Sequence, residues 1–238
     1  MKDSVLLRRS IHGFGEMVAA LGRWGVGVDA EIRQPDAIGA RIDVAADNPW
    51  FNAAVVPLEA APPVDTPQLP YCLWTVAQAV PGRVENTAIA MPCMGIHLPD
   101  ALKLAEGAQE VAAPSLHVLG DVNERAYGQP GVFVPLIRAL RDDRVGTYGL
   151  RDRGVFVCVA LTLTVDDDVS IQYVATDAAY RRRGLASQLL RSLLVAAQNE
   201  GRHSATLQAS ADGVSVYERL GFRRLALLRG YVRSGAGG

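Results

Sequence analysis

Tyr173-Val-Ala-Thr-Asp-Ala-Ala-Tyr-Arg-Arg-Arg-Gly-Leu-Ala186 is the stretch on which the fold turns. A strand ends, a short basic loop follows, and a long helix starts at a glycine. The first turn of such a helix holds backbone N–H groups without intrahelical partners and the positive end of the helix dipole. It is a ready cradle for phosphate. Gly184 lets an anion approach the backbone closely, and Arg181, Arg182 and Arg183 bring charge that can reach its oxygens. Taken alone, three arginines before a helix also suit a solvated turn or a nucleic-acid contact.

C-terminal to this stretch, Leu185, Leu189, Leu193 and Ala197 lie on one helical stripe that Leu190 and Leu194 widen, so a helix is predicted from Arg183 to about Gln198. A strand over His203–Ala209 follows, then a short helix over Asp212–Leu220 stopped by Gly221, and a strand over Phe222–Leu228. N-terminal to it, β-branched and aromatic residues predict strands at Val145–Leu150, Val155–Thr164 and Ser170–Ala175. The acidic triplet Asp166–Asp168 reads as a solvated turn. Val122–Tyr127 and Val132–Arg141 read as helices on either side of Gly131.

The spacing Arg181-x-x-Gly184-x-Ala186 matches a pyrophosphate-binding motif of the GNAT superfamily: Gln or Arg, two residues, Gly, one residue, then Gly or Ala. The segment Leu207-Gln-Ala-Ser-Ala-Asp-Gly-Val-Ser-Val-Tyr-Glu-Arg-Leu-Gly-Phe222 resembles a second GNAT segment, in which a strand leads to a short helix ending Tyr-Glu-Arg/Lys-x-Gly-Phe. Here that ending is Tyr217-Glu218-Arg219-Leu220-Gly221-Phe222. Both occur in the family order. The resemblance spans residues 117–230 and is strongest from Tyr173 onward.

The resemblance implies an α+β GNAT fold: a mixed, mostly antiparallel sheet with a splayed parallel strand pair, flanked by helices. It implies acetyl-CoA as co-substrate, bound in the cleft of that pair. The backbone of Val174 and Thr176 would pair with the pantetheine arm, and the amides of Arg182, Arg183, Gly184, Leu185 and Ala186 would receive the pyrophosphate. Ser210 stands where many relatives have Asn beside the pantetheine; capping the short helix is its other reading. Tyr217 would protonate the departing thiolate, since a phenol of pKa ~10 stays protonated at neutral pH; packing against the sheet is its alternative. Many relatives carry a Glu base on the strand before the loop. Counting back by twos from Val174 gives Gln172 and Ser170 on the same face, neither a base. Deprotonation through water or a carboxylate such as Asp168 stays open, and the base is unassigned.

Residues 1–112 lack both motifs. Leu7, Ile11, Phe14, Val18 and Leu21 predict a helix over 5–23, interrupted or tightened near Gly13 and Gly15. Strands are predicted at 39–45, 52–57, Tyr71–Val76 and Thr87–Met94, with a Pro-rich loop from Ala61 to Pro70, a short helix over Pro99–Glu106 and a frayed tail from Ser234. Pro70-Tyr-Cys-Leu-Trp-Thr-Val76 with Met94-Gly95 bears a faint resemblance to the diverged first domain of two-domain GNAT chains. The division is then 1–112, a diverged GNAT-like domain or unrelated α/β cap without its own cofactor, and 117–238, the catalytic domain.

Composition bounds the rest. The 238 residues are 49% apolar with a formal net charge of −1, which speaks against a nucleic-acid-binding surface. Cys72, Cys93 and Cys158 are too scattered for a disulfide framework and, with four dispersed histidines, for a metal site. No apolar run suggests a signal peptide or membrane span, so the compartment is read as cytoplasmic. The expected activity is transfer of an acetyl group to the primary amine of a small molecule or protein. A non-catalytic acyl-CoA-binding sensor or scaffold is the alternative. No nucleic-acid or membrane partner is expected; a homodimer is allowed.

Overall fold

The computed structural model describes residues 2–98 and 111–233; the helix expected over Pro99–Glu106 and the tail from Ser234 lie outside them. The first apolar stripe forms one helix, α1 (Asp3–Gly25), with Ile11, Phe14, Val18 and Leu21 buried against the sheet. It is not interrupted at Gly13 or Gly15. A Cβ on Gly13 would lie 2.5 Å from the Ser170 hydroxyl oxygen, and one on Gly15 would lie 2.5 Å from a Val55 methyl. These glycines let the helix axis come close to the sheet, a packing role that outweighs their cost within a helix.

Strands β1 (Glu31–Gln34), β2 (Ala37–Ala40), β3 (Ala53–Val55) and β4 (Cys72–Thr75) follow. The strand expected over 39–45 stops at Ala40. The Asn52 side chain takes the Ile42 N–H at 3.3 Å, and Asp43–Ala45 close a 3₁₀ turn. β5 (Arg83–His97) is longer than expected. The second half supplies α2 (Leu116–Tyr127), α3 (Val134–Ile137), β6 (Val145–Asp152), β7 (Val155–Val165), β8 (Asp168–Thr176), α4 (Leu185–Asn199), β9 (Ser204–Gln208), α5 (Val214–Arg219) and β10 (Arg223–Arg233). α3 is one turn rather than the helix expected over 132–141; beyond its end the Arg141 guanidinium takes the carbonyls of Arg138 and Leu140 (both 2.9 Å).

Among the described residues the strands form one ten-stranded sheet in the order β1-β2-β3-β4-β10-β5-β9-β8-β7-β6. It is mixed and mostly antiparallel, with parallel pairs at β3–β4 and β8–β9. β5 lies between β9 and β10, so residues on both sides of position 113 share the same sheet. One face is covered by α1, α2 and α3, and the other by α4 and α5. The stripe of α4 is buried as the spacing requires: Leu189, Leu190, Leu193 and Leu194 are each 0% exposed.

Candidate active site

β8 and β9 pair in parallel only through Asp168–Ser170 and Ser204–Thr206, and then diverge. Asp168 closes the base of this V. It is buried, not a solvated turn residue as its triplet suggested, and accepts hydrogen bonds from the hydroxyls of Ser204 and Thr206. Burial pushes its carboxyl above the usual range, against the pull of those hydroxyls and of Arg9. Val174 is six residues further along β8, roughly 20 Å at the usual rise. Asp168 is thus a clamp at the closed end of the V and too remote to take a proton there.

Beyond the paired residues the gap is bridged on the α1 side. Gln172 Nε2 donates to Ser170 Oγ (2.9 Å) and to Gln208 Oε1 (3.3 Å), and Gln208 Nε2 donates to the hydroxyl and carbonyl of Ser10 (both 2.8 Å). Counting by twos from Val174 fails at this point. Tyr173 and Val174 together oppose one β7 residue, Ala160, and Tyr173 has φ 50°. This bulge turns the strand. Ser170, Gln172 and Tyr173 face the α1 side, whereas Val174 faces the α4 side with Val169 and Ile171.

The open end of the V leads to the basic loop. Arg182 (φ 60°) and Gly184 (φ 78°) are both left-handed, a sequence of backbone turns that aims consecutive amides at one point. The first hydrogen bond of α4 runs from the Gln188 amide to the Gly184 carbonyl, leaving the amides of Leu185, Ala186 and Ser187 ahead of it without intrahelical acceptors. A Cβ on Gly184 would meet no atom within 4 Å, so the need for glycine is one of backbone conformation. The three arginines do different things. The Arg181 guanidinium holds the carbonyls of Ala126 (2.5 Å) and Thr176 (3.3 Å). Arg183 reaches the Ala179 carbonyl and lies 4.9 Å over the Tyr180 ring. Arg182 has no side-chain hydrogen bond or ion pair among the described residues and is exposed.

On the β9 side, Ser210 is exposed. It receives the amides of Gly213 (3.0 Å) and Val214 (3.2 Å) on its backbone carbonyl, and no side-chain cap forms at α5. Tyr217 is 8% exposed, its ring edge-on to Phe222 at 5.8 Å. Burial raises its phenol well above the ordinary value, with Tyr127 and Cys158 adding to the rise. Cys158 is itself buried, with its Sγ 3.2 Å from Thr176 Oγ1 and its thiol pushed up to about 11 by burial.

Two α2 residues at the site were not singled out by sequence. Tyr127 donates its hydroxyl to the Val174 carbonyl at 3.1 Å. The Glu124 carboxylate accepts the amides of Gly131, Phe133 and Val134, each at 2.7 Å, and so shapes the loop beside the bulge. Burial would raise Glu124, but these amides hold it below the usual carboxylate range. The Tyr127 contact joins residues 47 apart and the Glu124 contacts lie off any helix or strand period, so no local pattern announces them. No group of three His, Cys, Asp or Glu side chains among the described residues is disposed to hold a metal, and no helix there is long and apolar enough to cross a membrane.

The strand pair splays beyond its first residues, and a left-handed glycine opens a helix at its mouth, where free backbone amides suit an anion. Residues 138–230 match the family model described as "Acetyltransferase (GNAT) domain". Among curated proteins, the "[Ribosomal protein bS18]-alanine N-acetyltransferase" of Escherichia coli K12 is 28% identical over 92 residues, 37% of this chain and 62% of that relative. Its counterpart in Salmonella typhimurium LT2 is 25% identical over 114 residues, 47% of this chain and 70% of the relative. Among solved structures, a GCN5-related N-acetyltransferase from Kribbella flavida covers 93% of this chain, with 96% of its own length matched, at TM-score 0.60 and 16% identity. A GCN5-related N-acetyltransferase-like protein from Streptococcus suis covers 76% of this chain and 78% of its own at TM-score 0.52 and 16% identity. The fold shared with these structures is the GNAT fold.

Proposed function

We propose that the chain transfers an acetyl group from acetyl-CoA directly to a primary amine. The observation that supports this most is the V between β8 and β9, open toward the Gly184 turn and flanked by the buried hydroxyl of Tyr217. In this reading the pantetheine arm lies along Val174 and Thr176, with Ser210 across the cleft. The pyrophosphate lies on the amides of residues 182–186, with Arg181, Arg182 and Arg183 supplying positive charge.

The amine nitrogen attacks the thioester carbonyl carbon, whose oxygen is polarised by the Val174 N–H. The C–S bond then breaks, and the sulfur takes its proton from Tyr217. The proton shed by nitrogen passes to water, from which Tyr217 is reprotonated. Gln172 and Ser170 are held in the α1-side network and Glu124 is bound to three amides, so no side chain is given the role of base. Most of the acceleration comes from orienting amine and thioester.

Residues 1–112 hold no cofactor of their own and shape the acceptor side. The acceptor is an amine on a protein or a small molecule. The bS18-alanine relatives make peptides with an N-terminal alanine the first candidates, beside simple alkylamines. The test is thiol release from acetyl-CoA across that panel. Turnover with any member supports the reading; stoichiometric acetyl-CoA binding without turnover on any amine would instead assign a binding module.

A further inference from the structure

Tyr127 ends α2 and turns its hydroxyl onto the carbonyl of Val174, the β8 residue that faces the α4 side. The whole last turn of α2 is tied along the bulged end of β8. Asn123 Nδ2 donates to the Tyr173 carbonyl at 3.5 Å, Arg125 approaches Asp177 at 3.5 Å, and Arg181 joins the Ala126 and Thr176 carbonyls. Although 56% of the Tyr127 surface is exposed, its hydroxyl end is buried enough to raise the phenol, with Arg181 opposing and Asp212 adding to the rise. Arg181 belongs to the β8 side of the V and Asp212 to the β9 side. The Tyr127 hydroxyl therefore sits on the Val174 carbonyl, toward the open end of the V.

We propose that Tyr127 is a latch on the cofactor cleft, holding through its hydroxyl the Val174 carbonyl that a pantetheine amide N–H takes when acyl-CoA enters. This rests on the cofactor reading above and adds a residue to it. The hydroxyl and the amide compete for one acceptor, so binding must break a formed hydrogen bond before it makes its own. A hydrogen bond of this kind has a net worth of roughly one to a few RT, equivalent to about a two- to tenfold change in affinity. Once displaced, the hydroxyl is free to turn toward Tyr217, already its electrostatic neighbour.

Tyr127→Phe keeps the ring and removes only the competing donor; at a residue this exposed, folding is preserved. Calorimetry should show acetyl-CoA binding the Phe variant about two- to tenfold more tightly than the wild type. Adenosine 3′-phosphate 5′-diphosphate, which has the phosphates but no pantetheine arm, should bind both proteins equally. Unchanged or weaker acetyl-CoA binding by the Phe variant would overturn the latch and leave the cofactor reading standing. Equal tightening toward both probes would overturn it too, since the effect would not pass through Val174. A wild type that binds neither probe would remove the cofactor reading itself, and the latch with it.

Discussion

Thr206 on β9 donates its hydroxyl to the carboxylate of Asp168 on β8 at 2.6 Å, and this contact ties the two strands at the point from which they diverge. The pair sets where the V begins, and its chemistry makes stability depend on pH. Asp168 has a raised folded-state carboxyl, so the folded chain holds that proton more tightly than the unfolded one. The stability it contributes is fully present below the unfolded value near ~3.9 and is lost as pH rises through the raised folded value. Asp168→Asn removes this titration. In urea denaturation from pH 4 to 8, wild-type stability should fall relative to the Asn variant as pH rises; a constant difference would refute the assignment. Asp168→Ala, which strands two hydroxyls, should cost about 1–3 kcal/mol near neutral pH.

Gly184→Val tests the phosphate turn. With no protein atom near its Cβ, the variant should fold, at the ~1–2 kcal/mol cost of a left-handed non-glycine residue. The added side chain would stand where the pyrophosphate is proposed to sit. CoA affinity measured by calorimetry should drop about tenfold or more, a loss of ~1.4 kcal/mol at the least. Unchanged affinity in a folded variant would discard the phosphate reading.

Tyr217→Phe separates acid from packing. The ring, its contact with Phe222 and the core around it remain, so melting temperature and acetyl-CoA affinity should change little. The chemical step, read in single-turnover kinetics, should slow about 10²–10⁴-fold. Burial raises the phenol, so this hydroxyl should stay protonated through and beyond the ordinary tyrosine range, and the wild-type rate should show no alkaline loss from it below about pH 10. Full activity in the Phe variant would take Tyr217 out of the reaction.

Gly13→Ala sets helix propensity against packing. Alanine favours a helix interior by ~1 kcal/mol over glycine. Here its Cβ would fall 2.5 Å from Ser170 Oγ and 2.6 Å from Ser170 Cβ, on a buried strand that yields little. Overpacking of this kind costs about 1–3 kcal/mol, so the variant should be net destabilised. Adding Ser170→Gly should recover part of the loss, and calorimetric melting of the two variants would show whether it does.

The features legible in sequence were those written in local periodicity. The leucine stripe of α4, the β6–β7 hairpin and the two motif segments fall close to where their spacing put them, because helix and strand periods are properties of neighbouring residues. The failures are non-local. Alternation along β8 was counted through Tyr173, but a bulge breaks alternation without any glycine or proline to announce it. Asp168 was read with its exposed neighbours Asp166 and Asp167, and its burial is decided by hydroxyls some 36 residues away. The sequence reads Gly13 and Gly15 as interrupting or tightening the helix, whereas their meaning lies in Ser170 and Val55. The Tyr127 contact joins residues 47 apart, which no local pattern announces.

The interposed strand bears on how the chain is made. β5 leaves the ribosome before either of its flanking strands exists; β9 follows roughly a hundred residues later, and β10 later still. At ~5–20 residues per second, β5 must wait roughly 5–20 s with both edges unpaired. An unpaired strand is an invitation to other chains. The newborn protein therefore passes through a stage with both edges of β5 open, and slowing translation between His97 and Ser204 should lower its soluble yield more than slowing it elsewhere.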